Sequence, residues 1–169
     1  MELNTENLRI LALDEEQFAL LLSGIDKLEA ALGMQVGSEA LDLHVKQALL
    51  WLYNHAVNDK ENFLWYTSWQ FILKSMNMLV GSACFLGPPN ADGRVELSYG
   101  IHKFCRFRGY DEEVLSALCN WAASQGGSEL ISETEADDYA IHKMFETCGF
   151  EIQSRGETWF WRKELGKAG

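Results

Sequence analysis

Hydrophobic and polar positions along the chain follow two different periods. Across residues 39–56, apolar side chains recur at mixed helical spacing, which predicts an amphipathic helix. Across residues 94–101, Val95, Leu97 and Tyr99 alternate with Glu96 and Ser98, which predicts a strand with one apolar face. On that strand we expect Glu96 to lie on the polar face, opposite the core.

The same criteria predict the other elements of an α+β fold. The remaining strands are expected at 8–13, 63–73, 78–86, 130–134, 150–153 and 158–162, and the remaining helices at 14–22, 112–125 and 138–148. Asp14 is a candidate N-cap, and Gly149 is placed to end the last helix. Because hairpins are mixed with one strand-helix-strand crossover, the order predicts a mixed sheet.

Length and composition predict one globular domain over residues 1–169. Hydrophobic residues make up 47% of the chain, with six Trp and nine Phe, so a substantial core is expected. The formal charge of −11 argues against nucleic acid as a partner and mildly favours a cationic substrate such as an amine. The sequence leaves the oligomeric state open, with a homodimer as one option.

Cysteine usage and the first residues predict a cytoplasmic location. The four cysteines form no CxxC pair and the four histidines have no metal-ligand spacing, so reduced thiols and no metal site are expected. Acids stand where a signal peptide would need basic residues, and no apolar run is long enough to span a bilayer. Membrane attachment is therefore not expected.

A short basic loop stands out against the acidic background. Residues 103–108 contain three of the fourteen Lys and Arg residues and no acid, between a predicted strand and a predicted helix. Free N–H groups at a helix N-terminus, the helix dipole and nearby cations together suit a phosphate group. A merely solvated loop is the alternative. A nucleotide-binding motif is disfavoured, because GxxxxGK[ST] is absent and Gly100 and Gly109 do not match GxGxxG.

Three stretches in this order resemble the GNAT N-acetyltransferase superfamily, and above all its ribosomal-protein and α-amine branch. Residues 96–101 look like the central strand that bulges beside the thioester. Residues 106–110 look like the pyrophosphate loop, written Arg/Gln-x-x-Gly-x-Gly/Ala. Residues 138–150 look like the second cofactor motif, which ends in Gly149 and Phe150. The resemblance implies a mostly antiparallel central sheet flanked by helices, with the crossover at the cofactor site.

The resemblance also implies acetyl-CoA as cosubstrate and direct attack by a primary amine, from a small molecule or a peptide N-terminus. The backbone amides of 106–111 would hold the pyrophosphate, and 99–101 would pair with the pantetheine. The cofactor-binding positions that it implies are Gly100, Ile101, His102, Arg106, Phe107, Arg108, Gly109, Tyr110, Asp111, Asp138 and Phe145.

Three departures from the family pattern favour a second hypothesis, a catalytically weak or inactive CoA-binding or protein-interaction domain. Asp111 replaces a small residue beside the phosphates, unless its side chain points away. Ile141 stands at a Ser position of the second motif. Phe145 stands where many members have a Tyr that protonates the leaving thiolate, and a phenyl ring cannot donate a proton.

Glu96 is the first candidate for the base that deprotonates the amine, because it is on the polar face of the strand beside the expected thioester. Asp138 and Glu133 are second candidates, and an exposed strand residue remains the alternative role for Glu96. Tyr99 either orients the substrate or packs. A His102 and Cys105 pair of base and nucleophile is disfavoured, since no third group orients it.

Overall fold

Two units of helices and strands make up residues 1–166, the part of the chain that the computed structural model describes. The first unit is Met1–Cys84 and the second begins at Phe85. The elements of the first are β1 (Glu2–Asn4), β2 (Leu8–Ala12), α1 (Glu15–Ser23), α2 (Ile25–Ala31), α3 (Leu43–Asn58), a 3₁₀ turn (Lys60–Asn62), α4 (Phe63–Tyr66), β3 (Ser68–Leu73) and β4 (Met78–Phe85).

The strands of the first unit pair in chain order and are all antiparallel. Leu3 lies opposite Ile10, Ile10 lies opposite Phe71, and β3 pairs in turn with β4. Helices α1, α2 and α3 bury their apolar sides, including Phe18, Leu28 and Leu52, in one cluster with residues of β3 and β4.

The sequence prediction for the first unit is confirmed where local signals are strong and wrong where they are weak. Asp14 caps α1 as predicted. The predicted helix 39–56 begins later, at Leu43, because Asp42 is the residue that caps it. The predictions missed β1 and α2, and they assigned 63–73 to one strand, whereas Phe63–Tyr66 is helical.

The second unit contains the predicted strand-helix-strand crossover. Its elements are β5 (Arg94–Ile101), a 3₁₀ turn (Lys103–Cys105), α5 (Tyr110–Ser124), β6 (Glu129–Glu135), α6 (Tyr139–Thr147), β7 (Glu151–Arg155) and β8 (Thr158–Glu164). Strand β5 runs parallel to β6, which is antiparallel to β8, and β7 and β8 form the predicted closing hairpin. The mixed, mostly antiparallel α+β class is therefore confirmed.

Buried aromatic side chains fix the second unit around its two helices. Trp121 of α5 packs against Phe85 with ring centroids 5.2 Å apart. The Trp161 indole of β8 donates to the Thr134 hydroxyl of β6 at 2.9 Å. Asp138 caps α6, and Gly149 follows the helix with a φ of 85°, a backbone conformation that glycine adopts without a Cβ clash.

None of the helices in residues 1–166 combines the length and the apolar character that a membrane crossing requires.

We expect Asp14→Ala to lower the free energy of unfolding by about 1 kcal/mol, the usual value of an N-cap. The Gln17 N–H donates to the Asp14 carboxylate at 2.8 Å, and the Asp14 N–H donates back to Gln17 Oε1 at 3.0 Å. Urea denaturation measures the loss. Glu16→Ala is the control, because it removes a first-turn acid and leaves the cap intact. Equal stability of the two variants would contradict the prediction.

Candidate functional site

The loop between β5 and α5 presents the start of a helix. Gly109 has a φ of 82° and is the N-cap of α5, so the left-handed turn here suits a residue without a Cβ. The first N–H groups of an α-helix have no partner inside the helix, and the dipole makes this end positive. The first turn nevertheless holds three acids, Asp111, Glu112 and Glu113. An anion at this end therefore meets favourable backbone groups and unfavourable side chains.

A cavity of about 220 Å³, which we call the loop cavity, lies between the end of β5, this loop, and the helices α5 and α6. Its walls mix apolar side chains with charged ones. They are Tyr99, Ile101, Arg106, Phe107, Gly109, Asp111, Glu112, Ala140, Ile141, Lys143, Met144 and Thr147. Ile101 and Asp111 are buried, whereas Phe107, Glu112, Lys143 and Thr147 are exposed, so the cavity runs from the interior to the surface.

A hydrogen bond inside the loop cavity joins the strand to the helix. The Tyr99 hydroxyl donates to the Asp111 carboxylate at 2.5 Å, and Asp111 is only 4% exposed. The Asp111 side chain therefore neither points into solvent nor reaches freely for a ligand. Burial raises the pKa of Asp111, although the Tyr99 hydrogen bond and Arg106 oppose the shift. Burial and the Asp111 charge raise the pKa of Tyr99 far above its ordinary value.

Arg106 is one of two cations in the wall of the loop cavity, the other being Lys143. Its guanidinium lies 3.7 Å from the Asp138 carboxylate, and both side chains are partly exposed. Asp138 also accepts the Ile141 N–H at 3.3 Å as the cap of α6. The sequence predicted both residues as cofactor-binding positions. The structure brings the two side chains together, because Asp138 at the start of α6 pairs with Arg106 of the loop.

A second cavity, which we call the acidic cleft, is lined by four carboxylates. They are Glu96 of β5, Glu133 and Glu135 of β6, and Asp138. The cavity has a volume of about 390 Å³. Burial in the cleft and the charge of Glu133 both raise the pKa of Glu96. Among residues 1–166, no group of three or more His, Cys, Asp or Glu side chains is arranged to hold a metal ion.

Strand alternation explains why Glu96 faces this cleft. Val95 and Leu97 are buried, whereas Glu96 and Ser98 are exposed, as the sequence predicted. The parallel pairing of β5 with β6 extends from Arg94 to Glu96, and Glu96 lies opposite Ile131. After it, the Ser132 hydroxyl donates to the Leu97 carbonyl at 2.6 Å.

The loop cavity and the acidic cleft adjoin each other, because Tyr99 and Ile141 line both. A molecule with an anionic end in the loop cavity would have its other end near a set of carboxylates. The arrangement suits two reactants of opposite charge that meet at the end of β5.

Some predicted site residues lie elsewhere. Phe145 is fully buried, and its ring stacks on Phe150 at 4.5 Å and meets Trp161 at 5.7 Å. Gly100, His102 and Arg108 are exposed and Tyr110 is half-buried, but none of these four lines the loop cavity. The apolar stripe of α6 that contains Phe145 packs into the core, and the adjacent face of the helix forms the cavity wall.

Cys105 is fully buried, and burial raises the pKa of its thiol. A buried thiol of raised pKa is a poor nucleophile, so the disfavoured pairing of His102 with Cys105 gains nothing from the structure. All four cysteines are free, as predicted.

Sequence reasoning missed Glu112 of α5 and four α6 residues in the loop cavity and, among the carboxylates of the acidic cleft, Glu135. The structure adds Ala140, Lys143, Met144 and Thr147 to the loop cavity and Glu135 to the acidic cleft. The spacing of Ala140, Met144 and Thr147 is that of one helix face, which is a signal that the sequence does contain. Glu135 follows Glu133 at strand period, so its position on the same face was also available.

Comparison with known proteins gives one family. The model of the acetyltransferase (GNAT) domain matches residues 15–151. A curated relative, the uncharacterized N-acetyltransferase YjdG of Bacillus subtilis (strain 168), is 33% identical over 91 residues. That match covers 53% of this chain and 54% of the relative, so the chain matches only about half the length of that protein.

Solved structures share the fold at low identity. The ribosomal-protein-S5-alanine acetyltransferase of Vibrio fischeri superposes with a TM-score of 0.67 at 9% identity, over 98% of this chain and 97% of the other. The spermidine N-acetyltransferase of Vibrio cholerae, solved with CoA and spermine, gives a TM-score of 0.65 at 11% identity, over 97% and 99%.

The family model spans the elements from α1 to α6 and ends at the first residue of β7, so it matches well over half of the chain. The chain therefore belongs to the GNAT acetyltransferase family.

Proposed function

We propose that the protein is an acetyl-CoA-dependent N-acetyltransferase. Its acceptor is a primary amine on a molecule that carries further positive charge. The observation that supports this most directly is the pair of adjoining cavities, one with a cationic loop and a helix N-terminus, the other with four carboxylates. Family membership supports the reaction, and the spermidine N-acetyltransferase of similar fold holds CoA and spermine. We treat residues 1–169 as one acetyltransferase domain, because the family model includes parts of both units.

The residues of the loop cavity fit acetyl-CoA. Arg106 and the N–H groups at the start of α5 suit the pyrophosphate, while Ile101, Ile141 and Met144 give an apolar wall for the pantetheine. Bound acetyl-CoA supplies the acetyl group as a thioester, which a neutral amine converts to an amide with release of the thiol. The protein's contribution is to hold the two molecules, remove the proton and exclude water.

Glu96 is the residue that we assign to proton removal. An amine is mostly protonated at neutral pH, since its pKa is about 8 for an α-amine and about 10 for a lysine-type amine. The acidic cleft attracts this cation, and Glu96 takes a proton from it directly or through water. The raised pKa of Glu96 makes it a stronger base than an ordinary glutamate, which helps proton removal near neutral pH.

No side chain is assigned to protonate the leaving thiolate. Tyr99 is a poor donor, because loss of its proton would place a phenolate against the Asp111 carboxylate in a buried site. Phe145 has no proton to give and lies in the core. A thiol with a pKa of about 8.5 is a fair leaving group without an acid. The alternative function, a CoA-binding domain without activity, rests on this missing acid together with the departures at Asp111 and Ile141.

Acetyl transfer to a panel of amines, followed by mass spectrometry, tests the proposal. The panel contains diamines and polyamines, single-charge amines and peptides with free N-termini. Preference for acceptors with two or more positive charges is the expected result, because the cleft has four carboxylates. Binding of CoA without acetylation of any acceptor would favour the inactive domain, and failure to bind CoA would refute both functions.

We expect Glu96→Gln to lower kcat/KM by about 10²- to 10⁴-fold at pH 7, the usual value of a general base. Wild-type activity should fall as the pH drops through the raised pKa of Glu96, because protonation removes the base. The variant should lack that acid limb, and its loss should shrink at high pH, where free amine is abundant.

The control for this prediction is Glu146→Gln, which removes the same charge from an exposed position of α6 outside both cavities. Acetyl-CoA affinity should stay level in both variants. If Glu96→Gln keeps near-normal kcat/KM, the base is another group, and Glu133→Gln and Asp138→Asn are the next variants to measure.

We expect Arg106→Ala to weaken CoA binding by about 10- to 150-fold, as removal of one charge-assisted phosphate contact does. Arg108→Ala removes an equal charge two residues along the loop, but Arg108 lies outside the cavity wall, so its effect should be smaller. Titration calorimetry gives both affinities. Stability should change little, because the exposed pair of Arg106 and Asp138 contributes at most about 1 kcal/mol. Equal affinities of wild type and Arg106→Ala would contradict the assigned phosphate contact.

We expect Asp111→Asn to tighten CoA binding by about tenfold, since a carboxylate ~5 Å from a phosphate costs roughly 3 kcal/mol before screening. The amide oxygen can still accept from Tyr99. The raised pKa of Asp111 means that the wild-type fold loses stability as the pH rises through that pKa, so the variant's relative stability should grow with pH. Weaker or unchanged CoA binding by a folded variant would show that the Asp111 charge does not act on the phosphates.

A further inference from the structure

Phe107 combines two unfavourable features at one position of the loop. Its φ is 62°, a left-handed conformation that side chains with a Cβ rarely adopt, and Asn77 is the other non-glycine residue with positive φ among residues 1–166. Its aromatic ring is also 70% exposed. Exposure of this much apolar surface to water, on a strained backbone, gives the folded chain no packing benefit.

The ring belongs to the exposed part of the wall of the loop cavity. Phe107 lines this cavity together with Arg106 and Gly109, whereas Ile101 and Asp111 of the same wall are buried. Phe104, three residues earlier, is different, because its ring packs against His102 at 4.5 Å and lies outside the cavity wall. Of these two rings, Phe107 is the one that a ligand in the cavity can reach.

We propose that the Phe107 ring stacks on the adenine of bound acetyl-CoA. The inference rests on the proposed function, in which the buried end of the cavity receives the acetyl-pantetheine and Arg106 with the start of α5 receives the pyrophosphate. The adenosine that follows the pyrophosphate then emerges at the exposed end, beside Phe107. An aromatic face binds a base by stacking, and the neutral adenine is not repelled by the acids of the first turn of α5.

The proposal makes Phe107 a residue that selects the nucleotide part of the cosubstrate. Base–aromatic stacking contributes enough for a change of roughly 5- to 100-fold in the dissociation constant when the ring is removed. That change should appear only for ligands that contain adenine. A role in loop conformation would instead change the affinity of every ligand that uses the pyrophosphate loop.

The test compares CoA with 4′-phosphopantetheine, which lacks the adenosine and two of the three phosphates of CoA, by titration calorimetry on the full chain. Because the two ligands also differ in phosphates, the quantity compared is the ratio of variant to wild-type affinity for each ligand. Phe107→Ala and Phe107→Gly should both weaken CoA binding by roughly 5- to 100-fold and leave 4′-phosphopantetheine binding within about twofold. Phe107→Tyr should restore CoA binding. Phe107→Gly adopts the positive φ without strain, so it separates the loss of the ring from a change of the loop backbone.

Phe104→Ala is the matched control, since it removes a partly exposed ring from the same segment outside the cavity, and it should leave both affinities level. A parallel loss for CoA and 4′-phosphopantetheine in Phe107→Gly would overturn the stacking role, as would unchanged CoA affinity in Phe107→Ala. If the wild-type chain binds neither ligand, the proposed function fails, which is a different result from failure of the stacking role alone.

Discussion

The hydrogen bond from the Tyr99 hydroxyl to the buried Asp111 carboxylate ties the end of β5 to the first turn of α5. A buried carboxylate that lost this donor would be costly, so strand and helix must meet in the register that keeps the bond. Both residues line the loop cavity, and Tyr99 also lines the acidic cleft. The interaction thus sets the wall at which the two proposed reactants meet. It also makes Tyr99 a poor acid, because the same carboxylate stabilises the protonated phenol.

Charge is distributed between the two cavities in a way that the total of −11 conceals. Arg106 and Lys143 supply positive charge to the loop cavity, and the start of α5 adds the helix dipole. Asp111 and Glu112 of the same wall oppose them. The carboxylates of β5 and β6 supply negative charge to the acidic cleft. Asp138 lies between them, since it lines the cleft and pairs with Arg106 at 3.7 Å. This pairing reduces the charge that Arg106 offers an anion, so phosphate binding competes with an internal ion pair.

Local patterns in the sequence were sufficient for the elements whose signals are local. Strand alternation put Glu96 on the polar face of β5, and the Asp14 cap fixed the start of α1. Tertiary contacts decided the rest. The sequence does not predict that the Asp111 side chain turns inward. Its partner Tyr99 is twelve positions away, and the two meet only because the loop between β5 and α5 brings the strand and the helix together. The aromatic run at 63–73 reads as one strand by propensity, yet its first residues form a helical turn.

Phe145 shows how packing and chemistry exclude each other at one position. Its ring is enclosed by Phe150 and Trp161, and it lies 6.5 Å from the Tyr99 ring. A hydroxyl on that ring would be buried, where it would cost free energy without a partner. The phenyl ring therefore suits the core, and it has no proton to give to a leaving thiolate. In the proposed reaction, proton removal on the acceptor side must then provide most of the assistance from side chains. A thiolate can leave unaided, whereas an ammonium cannot attack, so the step that needs a side chain is deprotonation of the amine. Glu96, with its raised pKa, is the residue proposed for that step.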